Sequence, residues 1–127
     1  MPRRTQPDPF ALAVGLRIQA LRKEGGLTME QLAEASALGS KGHLSSIEKG
    51  LVRPTVQTLK VLSEKLGVLP LDLLTFPLDD PRQALIDATR GLSASELNEV
   101  LAQLAQRRGA PTETNSGERG AKKRPAA

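Results

Sequence analysis

The sequence predicts an all-α protein, with five short helices in one small domain followed by a helical hairpin and an irregular tail. Leucine, isoleucine, valine and alanine recur at spacings of three and four residues, which is the periodicity of amphipathic helices. Ser, Thr or Asp precedes most of these segments and glycine follows several of them, as helix caps do. The 127-residue chain has no Trp or Tyr and two Phe, so its core must be aliphatic.

The net charge of +4 is unevenly distributed. Residues 10–76 carry eight basic and six acidic side chains, residues 77–106 carry two and five, and residues 107–127 carry six and two. A basic domain and a basic tail thus flank an acidic segment, which suits contact with a polyanion without identifying one. No apolar run is long enough for a bilayer, the N-terminus lacks a signal-peptide core, and the chain has no cysteine, so we expect a cytoplasmic protein without disulfides.

The two ends of the chain are predicted to be irregular. Residues 1–9 hold three prolines and form a flexible basic arm, in which Arg3 and Arg4 either reach a nucleic-acid groove or remain solvated. Residues 109–127 show no apolar periodicity and form a disordered basic tail. Its run Lys122-Lys123-Arg124 is either a DNA anchor or a solvated group of charges.

The first long helix is predicted to begin at Asp8, a good N-cap, with Pro9 in the first helical position. The pair Gly25-Gly26 ends it. Large apolar residues at helical spacing are expected to form its buried face: Phe10, Val14, Ile18 and Leu21.

Two short helices follow, joined by a tight turn. Thr28 and Gln31 form a capping box, which predicts a second helix from Met29 to about Ala35. Ser40 then caps a third helix. Two short helices joined by a glycine-containing turn are the sequence form of a helix-turn-helix.

The third helix is predicted to end just before Gly50, a residue suited to the left-handed position past a helix end. Its large apolar residues are Leu44 and Ile47, on one face, and its other face is small, polar or basic. Such a helix offers a low cationic ridge to an external partner, although a plain amphipathic surface helix has the same pattern.

The fourth helix is predicted to begin after Thr55 and to end at Gly67. Its inner face is expected to carry Leu59, Leu62 and Leu66. Pro70 then sits at the start of a short fifth helix, Leu71–Phe76.

Residues 77–108 are predicted to form a separate helical hairpin after a proline-bounded linker. Asp80 and Pro81 open a sixth helix to about Arg90, and Ser93 with Glu96 caps a seventh to about Arg108. The seventh helix carries an apolar stripe of Leu97, Val100, Leu101 and Leu104. So small a hairpin must bury that stripe elsewhere, either by docking on its own domain or by forming a homodimer through residues 81–108.

Three segments, in order, carry a resemblance to a known family. They are residues 27–34 (Leu-Thr-Met-Glu-Gln-Leu-Ala-Glu), 44–50 (Leu-Ser-Ser-Ile-Glu-Lys-Gly) and 54–59 (Pro-Thr-Val-Gln-Thr-Leu). Together with residues 15–22 and 66–68, they resemble the lambda repressor/Cro-like (XRE) helix-turn-helix proteins over about residues 10–76. The resemblance implies a five-helix lambda-repressor-like DNA-binding domain and a transcriptional regulator.

The resemblance also implies how DNA is bound, with the third helix in the major groove of a double-stranded operator. The family's base-contacting positions fall on Lys41, Gly42, Ser45 and Ser46. Its phosphate-contacting positions fall on Thr28, Met29, Ser40, His43, Lys49, Arg53 and Thr55. A structural ion pair is implied between Arg17 and Glu48.

Two departures from the family pattern fall in the helix-turn-helix itself. Met29 stands where the family usually has Gln, and the turn is one residue longer, with Gly39 as the extra residue. Either change can alter how the third helix enters a groove.

Other classes of function have weaker support in the sequence. No Ser/His/Asp set, phosphate-cradling glycine loop or plausible carboxylate pair points to an enzyme. His43 is the single histidine, so we expect no metal site and no cofactor. The alternatives that stay open are a protein–protein interaction module of the same fold and an antitoxin that binds both a partner protein and DNA.

Overall fold

The computed structural model describes residues 6–108, and seven helices lie among them. They are α1 (Pro9–Glu24), α2 (Met29–Ala35), α3 (Lys41–Glu48), α4 (Val56–Leu66), α5 (Pro70–Leu73), α6 (Pro81–Ala88) and α7 (Ala94–Arg107). Residues 6–108 contain no strand, so the prediction of an all-α fold is confirmed. None of these helices is both long and apolar enough to cross a membrane.

Side-chain oxygens cap six of the seven helices at the predicted residues. The N-caps are Asp8, Thr28, Ser40, Thr55, Asp80 and Ser93, and capping boxes close around Thr28 and Ser93. Local signals therefore locate the helix starts well. The ends are less accurate, since α5 stops at Leu73 and α6 at Ala88, short of the predicted Phe76 and Arg90.

An aliphatic core joins α1 to α5. Its fully buried members come from all five helices: Val14, Ile18, Leu21, Leu32, Ala33, Leu44, Ile47, Leu62 and Leu73. Leu59 and Leu66 are half-buried and pack against it, as expected for the inner face of α4. This core fixes the five helices of the domain that the sequence predicts.

Phe10 is a correction to the predicted core. Its side chain is 61% exposed, and its ring meets the edge of Phe76 with the centroids 5.8 Å apart. Ala11 is buried in its place, because the buried face of α1 continues from Val14 back by three residues. The first turn of α1 therefore lies at the edge of the core.

The predicted boundary at residue 77 is also corrected. The chain divides into two compact units after Arg90, so α6 belongs with the helix-turn-helix unit and not with α7. Ion pairs hold α6 to α1: Arg17 Nη2 lies 2.6 Å from Asp87 Oδ1, and Arg90 Nη2 lies 3.0 Å from Glu24 Oε1. These ion pairs join residues that are 70 and 66 positions apart in the sequence, so the charge pattern of a short segment cannot predict them.

The second unit contains α7. Its predicted apolar stripe is accessible at its C-terminal half, with Leu101 61% and Leu104 44% exposed. The predicted arginines of the arm, Arg3 and Arg4, and the predicted tail 109–127 with Lys122, Lys123 and Arg124 lie outside the described residues.

Candidate nucleic-acid interface

The turn between α2 and α3 uses two left-handed residues. Ala37 has a φ of 54°, and the Leu38 N–H donates to the Ala33 carbonyl at 3.2 Å, which closes the end of α2. Gly39 follows with a φ of 87°, a conformation that side chains rarely adopt. Ser40 then starts α3 by accepting a hydrogen bond from the His43 amide at 3.1 Å. The additional turn residue is thus accommodated at Gly39.

Two glycines allow the C-terminal end of α3 to pack directly on α1. A Cβ at Gly15 would lie 2.3 Å from the Ile47 carbonyl oxygen and 2.6 Å from that of Glu48. A Cβ at Gly50 would lie 2.6 Å from Leu12 Cα, and Gly50 also has a φ of 74°. The backbones therefore meet where no side chain fits, which sets the position of α3.

A buried ion pair secures the same end of α3. Arg22 Nε lies 2.7 Å from Glu48 Oε2, and Arg22 Nη2 donates to Oε1 at 3.1 Å. Arg22 Nη1 also donates to the Leu27 carbonyl at 2.9 Å, so the guanidinium links α1, α3 and the start of the helix-turn-helix.

The predicted Arg17–Glu48 pair is therefore wrong. Arg22 and Gly15 lie on the edge of α1 that faces α3, whereas Arg17 lies on the opposite edge of the buried face. Arg17 Nε donates instead to the Asp72 carbonyl at 2.9 Å, and its Nη2 pairs with Asp87. Helical spacing alone places both arginines beside the core and does not say which one meets α3.

The outward face of α3 is accessible at its N-terminal end. Lys41, Gly42 and His43 are exposed and Ser45 is half-buried, while Leu44 and Ile47 are fully buried on the inner face. The exposed and half-buried residues agree with the accessible side of the helix that the sequence predicts, with one exception.

The exception is Ser46, a predicted base-contacting residue that is only 4% exposed. It lies next to fully buried Ile47 and its carbonyl accepts the Leu51 amide at 2.9 Å. The burial of Ser46 argues against a contact with a base, because its hydroxyl does not reach the outer surface.

Glu30 is a neighbour of the interface that sequence reasoning missed. Its carboxylate oxygen Oε1 lies 3.8 Å from Lys41 Nζ, and the side chains of Glu30 and Lys41 are 76% and 57% exposed. So exposed a pair contributes little free energy and exchanges readily with solvent or another anion. Glu30 and Glu34 line an open hollow between α2 and the start of α3, with Ala37, Gly39 and Ser40.

The predicted phosphate-contacting residues lie around α3, and most are exposed: Thr28, Ser40, His43, Lys49, Arg53 and Thr55. The hydroxyls of Thr28, Ser40 and Thr55 are N-caps, so these side chains already accept hydrogen bonds from their own helices. Met29 is half-buried against the core, which leaves only its backbone amide for a phosphate oxygen.

Arg53 pairs with an acidic residue, Asp8, the N-cap of α1. Its Nη2 lies 3.1 Å from Asp8 Oδ1, and the arginine side chain is 53% exposed. The Asp8 amide donates to the Gly50 carbonyl at 3.1 Å, so the start of α1 is joined to the end of α3. The Arg53 side chain is therefore exposed at the surface and is held beside the point where the start of α1 meets the end of α3.

No group of three or more potential metal-binding side chains lies together within residues 6–108. The outward face of α3 offers hydrogen-bond donors and positive charge, with the carboxylates of Glu30 and Glu34 beside its start. It suits an anionic partner.

Comparison with known proteins gives consistent results. Residues 18–74 match the model of a helix-turn-helix family. An uncharacterized HTH-type transcriptional regulator, y4dJ, of Sinorhizobium fredii is 45% identical over 67 residues, which cover 53% of this chain and 84% of the relative. The immunity repressor of Bacillus phage phi105 is 42% identical over 57 residues, 45% of this chain and 39% of the repressor.

A solved structure has a similar fold. It is a SinR protein/SinI protein complex, with a TM-score of 0.54 and 31% sequence identity, and the alignment covers 75% of this chain and 97% of that one. The match to the family model, residues 18–74, spans both α2 and α3.

Proposed function

This chain belongs to the helix-turn-helix family of DNA-binding transcriptional regulators, and on that premise we propose that it represses transcription by occupying a double-stranded operator. The name of the phage relative, an immunity repressor, supports repression. The observation that carries the proposal is the accessible N-terminal end of α3, with Lys41, Gly42 and His43 exposed beside a rigidly seated inner face.

In the proposed complex α3 lies in the major groove, where an α-helix fits and each base pair presents a distinct pattern of donors and acceptors. Lys41 is the proposed reader of guanine, because a lysine donates to guanine O6 and N7. Its exposed pairing with Glu30 at 3.8 Å is weak enough to be replaced by a base. Gly42 permits close approach, and Ser45 offers a hydroxyl to an adjacent base edge.

Phosphate contacts are proposed to fix the register of α3. Lys49 and Arg53 supply charge, and the exposed His43 supplies a ring nitrogen. The backbone amides at the starts of α2 and α4, near Met29 and Thr55, supply uncharged donors to phosphate oxygens. Contacts of this kind carry the salt dependence of binding and add little sequence preference.

Two copies of the chain are proposed to act together, through a surface within residues 81–108. One recognition helix reads few base pairs, and two half-sites about one helical turn apart, roughly 34 Å, supply the missing specificity. We therefore expect a palindromic operator.

Selection of duplexes from a random pool tests this proposal. Wild-type protein should enrich one palindromic sequence. Lys41→Ala should weaken binding to that sequence by about 1–3 kcal/mol and relax the preference at one position in each half-site. Lys65→Ala, at the exposed C-terminal end of α4, is the matched control for loss of one positive charge and should bind like wild type.

Salt titration separates the two kinds of contact. Lys49→Ala and Arg53→Ala should each weaken binding to all duplexes alike and reduce the slope of log affinity against log salt by about one. If no sequence is enriched and no variant alters the slope, the surface of α3 serves a partner protein instead. A partner protein is the alternative because one solved structure of similar fold is a SinR protein/SinI protein complex.

A further inference from the structure

We propose that α7 pairs with α7 of a second copy of this chain and that the two helices run antiparallel. The inference rests on the proposed function, since it names the surface and the orientation by which two copies act on one operator. It concerns only the second compact unit, in which α7 runs from Ala94 to Arg107.

The apolar face of α7 has the spacing of a helix-pairing seam. Leu97, Leu101, Leu104 and Arg108 follow one another at intervals of four, three and four residues, which keeps them on one line along the helix. Arg108 is the C-cap and retains helical dihedral angles, with φ −74° and ψ −7°, so it continues that line. Leu101 and Leu104 are exposed at its centre.

Charge at the end of the seam selects the orientation. In a parallel pair, each seam residue meets its own copy, so Arg108 would face Arg108 of the second copy at close range. In an antiparallel pair, Leu101 faces Leu104 of the second copy and Arg108 faces Leu97 of the second copy. The aliphatic stem of the arginine then covers the leucine while its guanidinium reaches solvent.

Charges beside the seam favour the same orientation. Glu96 and Arg107 lie on one edge of the apolar face, and the opposite edge carries the uncharged Asn98 and Ala105. Antiparallel helices bring like edges together, so Glu96 of each copy approaches Arg107 of the other, once at each end. A parallel pair would set this charged edge against the uncharged one and leave both charges without a partner across the interface.

The Glu96 side chain is held at the start of α7 by a local hydrogen bond. Its Oε1 accepts the Ser93 amide at 2.9 Å within the capping box, and this hydrogen bond lowers the pKa of the Glu96 carboxyl. The carboxylate is therefore ionised and held near the first turn. Antiparallel packing also sets the positive N-terminal end of each helix dipole beside the negative C-terminal end of its neighbour.

Disulfide cross-linking of the 127-residue chain tests the orientation directly, because its sequence has no cysteine. Asn98→Cys and Ala105→Cys lie on the uncharged edge of α7. In the antiparallel pair this edge of one copy adjoins the same edge of the other copy. A mixture of these two variants should form a mixed cross-linked dimer under mild oxidation, whereas Ala102→Cys, on the outer face, should not cross-link.

Leu97→Cys alone reports the opposite orientation. Two copies of residue 97 adjoin in a parallel pair but lie about 16 Å apart along the axis of the antiparallel pair, given a rise of 1.5 Å per residue. A cross-linked Leu97→Cys dimer would therefore overturn the proposal, as would absence of the mixed Asn98–Ala105 product.

Sedimentation measures the strength of pairing without DNA. Leu101→Ala combined with Leu104→Ala should raise the dissociation constant of the dimer at least about 100-fold. Each leucine contributes to the interface from both copies, and alanine preserves the helix. Gln106→Ala, on the outer face, should change it less than about twofold. Pairing through α7 would be refuted if the wild-type chain sediments as a monomer. It would also be refuted if the leucine substitutions leave the dissociation constant of the dimer unchanged.

These outcomes are distinct from failure of the proposed function. A double-leucine variant that no longer dimerises should still bind a single half-site through α3, with the Lys41 preference unchanged. Loss of DNA binding by Lys41→Ala, in turn, should leave the cross-linking pattern of α7 as in wild type.

Discussion

At the scale of single residues, Ala37 is the one non-glycine with a positive φ among residues 6–108. A left-handed conformation costs a residue with a Cβ about 1–2 kcal/mol, and glycine avoids most of this cost at the expense of a more flexible unfolded chain. Ala37→Gly should therefore raise the free energy of unfolding by up to about 1 kcal/mol. Urea unfolding followed by circular dichroism measures the change.

Ala35→Gly is the matched control, two residues earlier and inside α2. There the conformation is helical, so glycine should lower the free energy of unfolding by about 0.5–1 kcal/mol. Equal effects of the two glycines would show that the left-handed turn is not a source of strain.

The pair Arg22–Glu48 is the second feature at this scale. Both side chains are almost fully buried, so Arg22→Met should leave an uncompensated carboxylate and cost about 3–5 kcal/mol. The double variant Arg22→Met/Glu48→Leu should recover most of that loss, because two apolar side chains need no charge partner. Thermal unfolding of the single and double variants measures the coupling energy between Arg22 and Glu48. Losses of stability that simply add in the double variant would contradict this prediction.

At the scale of elements, α6 depends on carboxylates for its attachment to α1. A hydrogen bond from Arg90 lowers the pKa of the Glu24 carboxyl below its ordinary 4.5, and Arg17 lowers that of Asp87 below its ordinary 3.8. A carboxyl whose pKa is lower in the folded protein stabilises it above the ordinary pKa, and this contribution disappears as pH falls through the lowered value.

The free energy of unfolding should therefore decline as the pH falls below 4.5. Asp87→Asn removes one of the two groups and should make the decline shallower, whereas Glu34→Gln, an exposed carboxylate of α2, should leave it as in wild type. Urea unfolding at a series of pH values measures the slope. If Asp87→Asn leaves the slope of the free energy of unfolding against pH unchanged, the ion pairs between α6 and α1 are not a source of the acid sensitivity.

At the scale of the whole molecule, local signals predicted most of the fold. Caps and periodicity located six of the seven helix starts within residues 6–108, because they act within one turn of the chain, and Pro70 marked the start of α5. The errors concern tertiary partners. The choice of Arg22 over Arg17, the burial of Ser46 and the attachment of α6 all depend on which element packs nearby. The exposure of Lys41 was predictable because it needs only a free helix face.

The direct contact of α1 and α3 through Gly15 and Gly50 has a consequence for genetics. Neither position touches a nucleic acid in the proposed complex, yet a methyl group at either one would displace the helix that does. Alleles at these two codons would mimic operator-contact alleles in any screen that scores repression alone. The steady-state amount of protein in the cell would tell the two classes of allele apart.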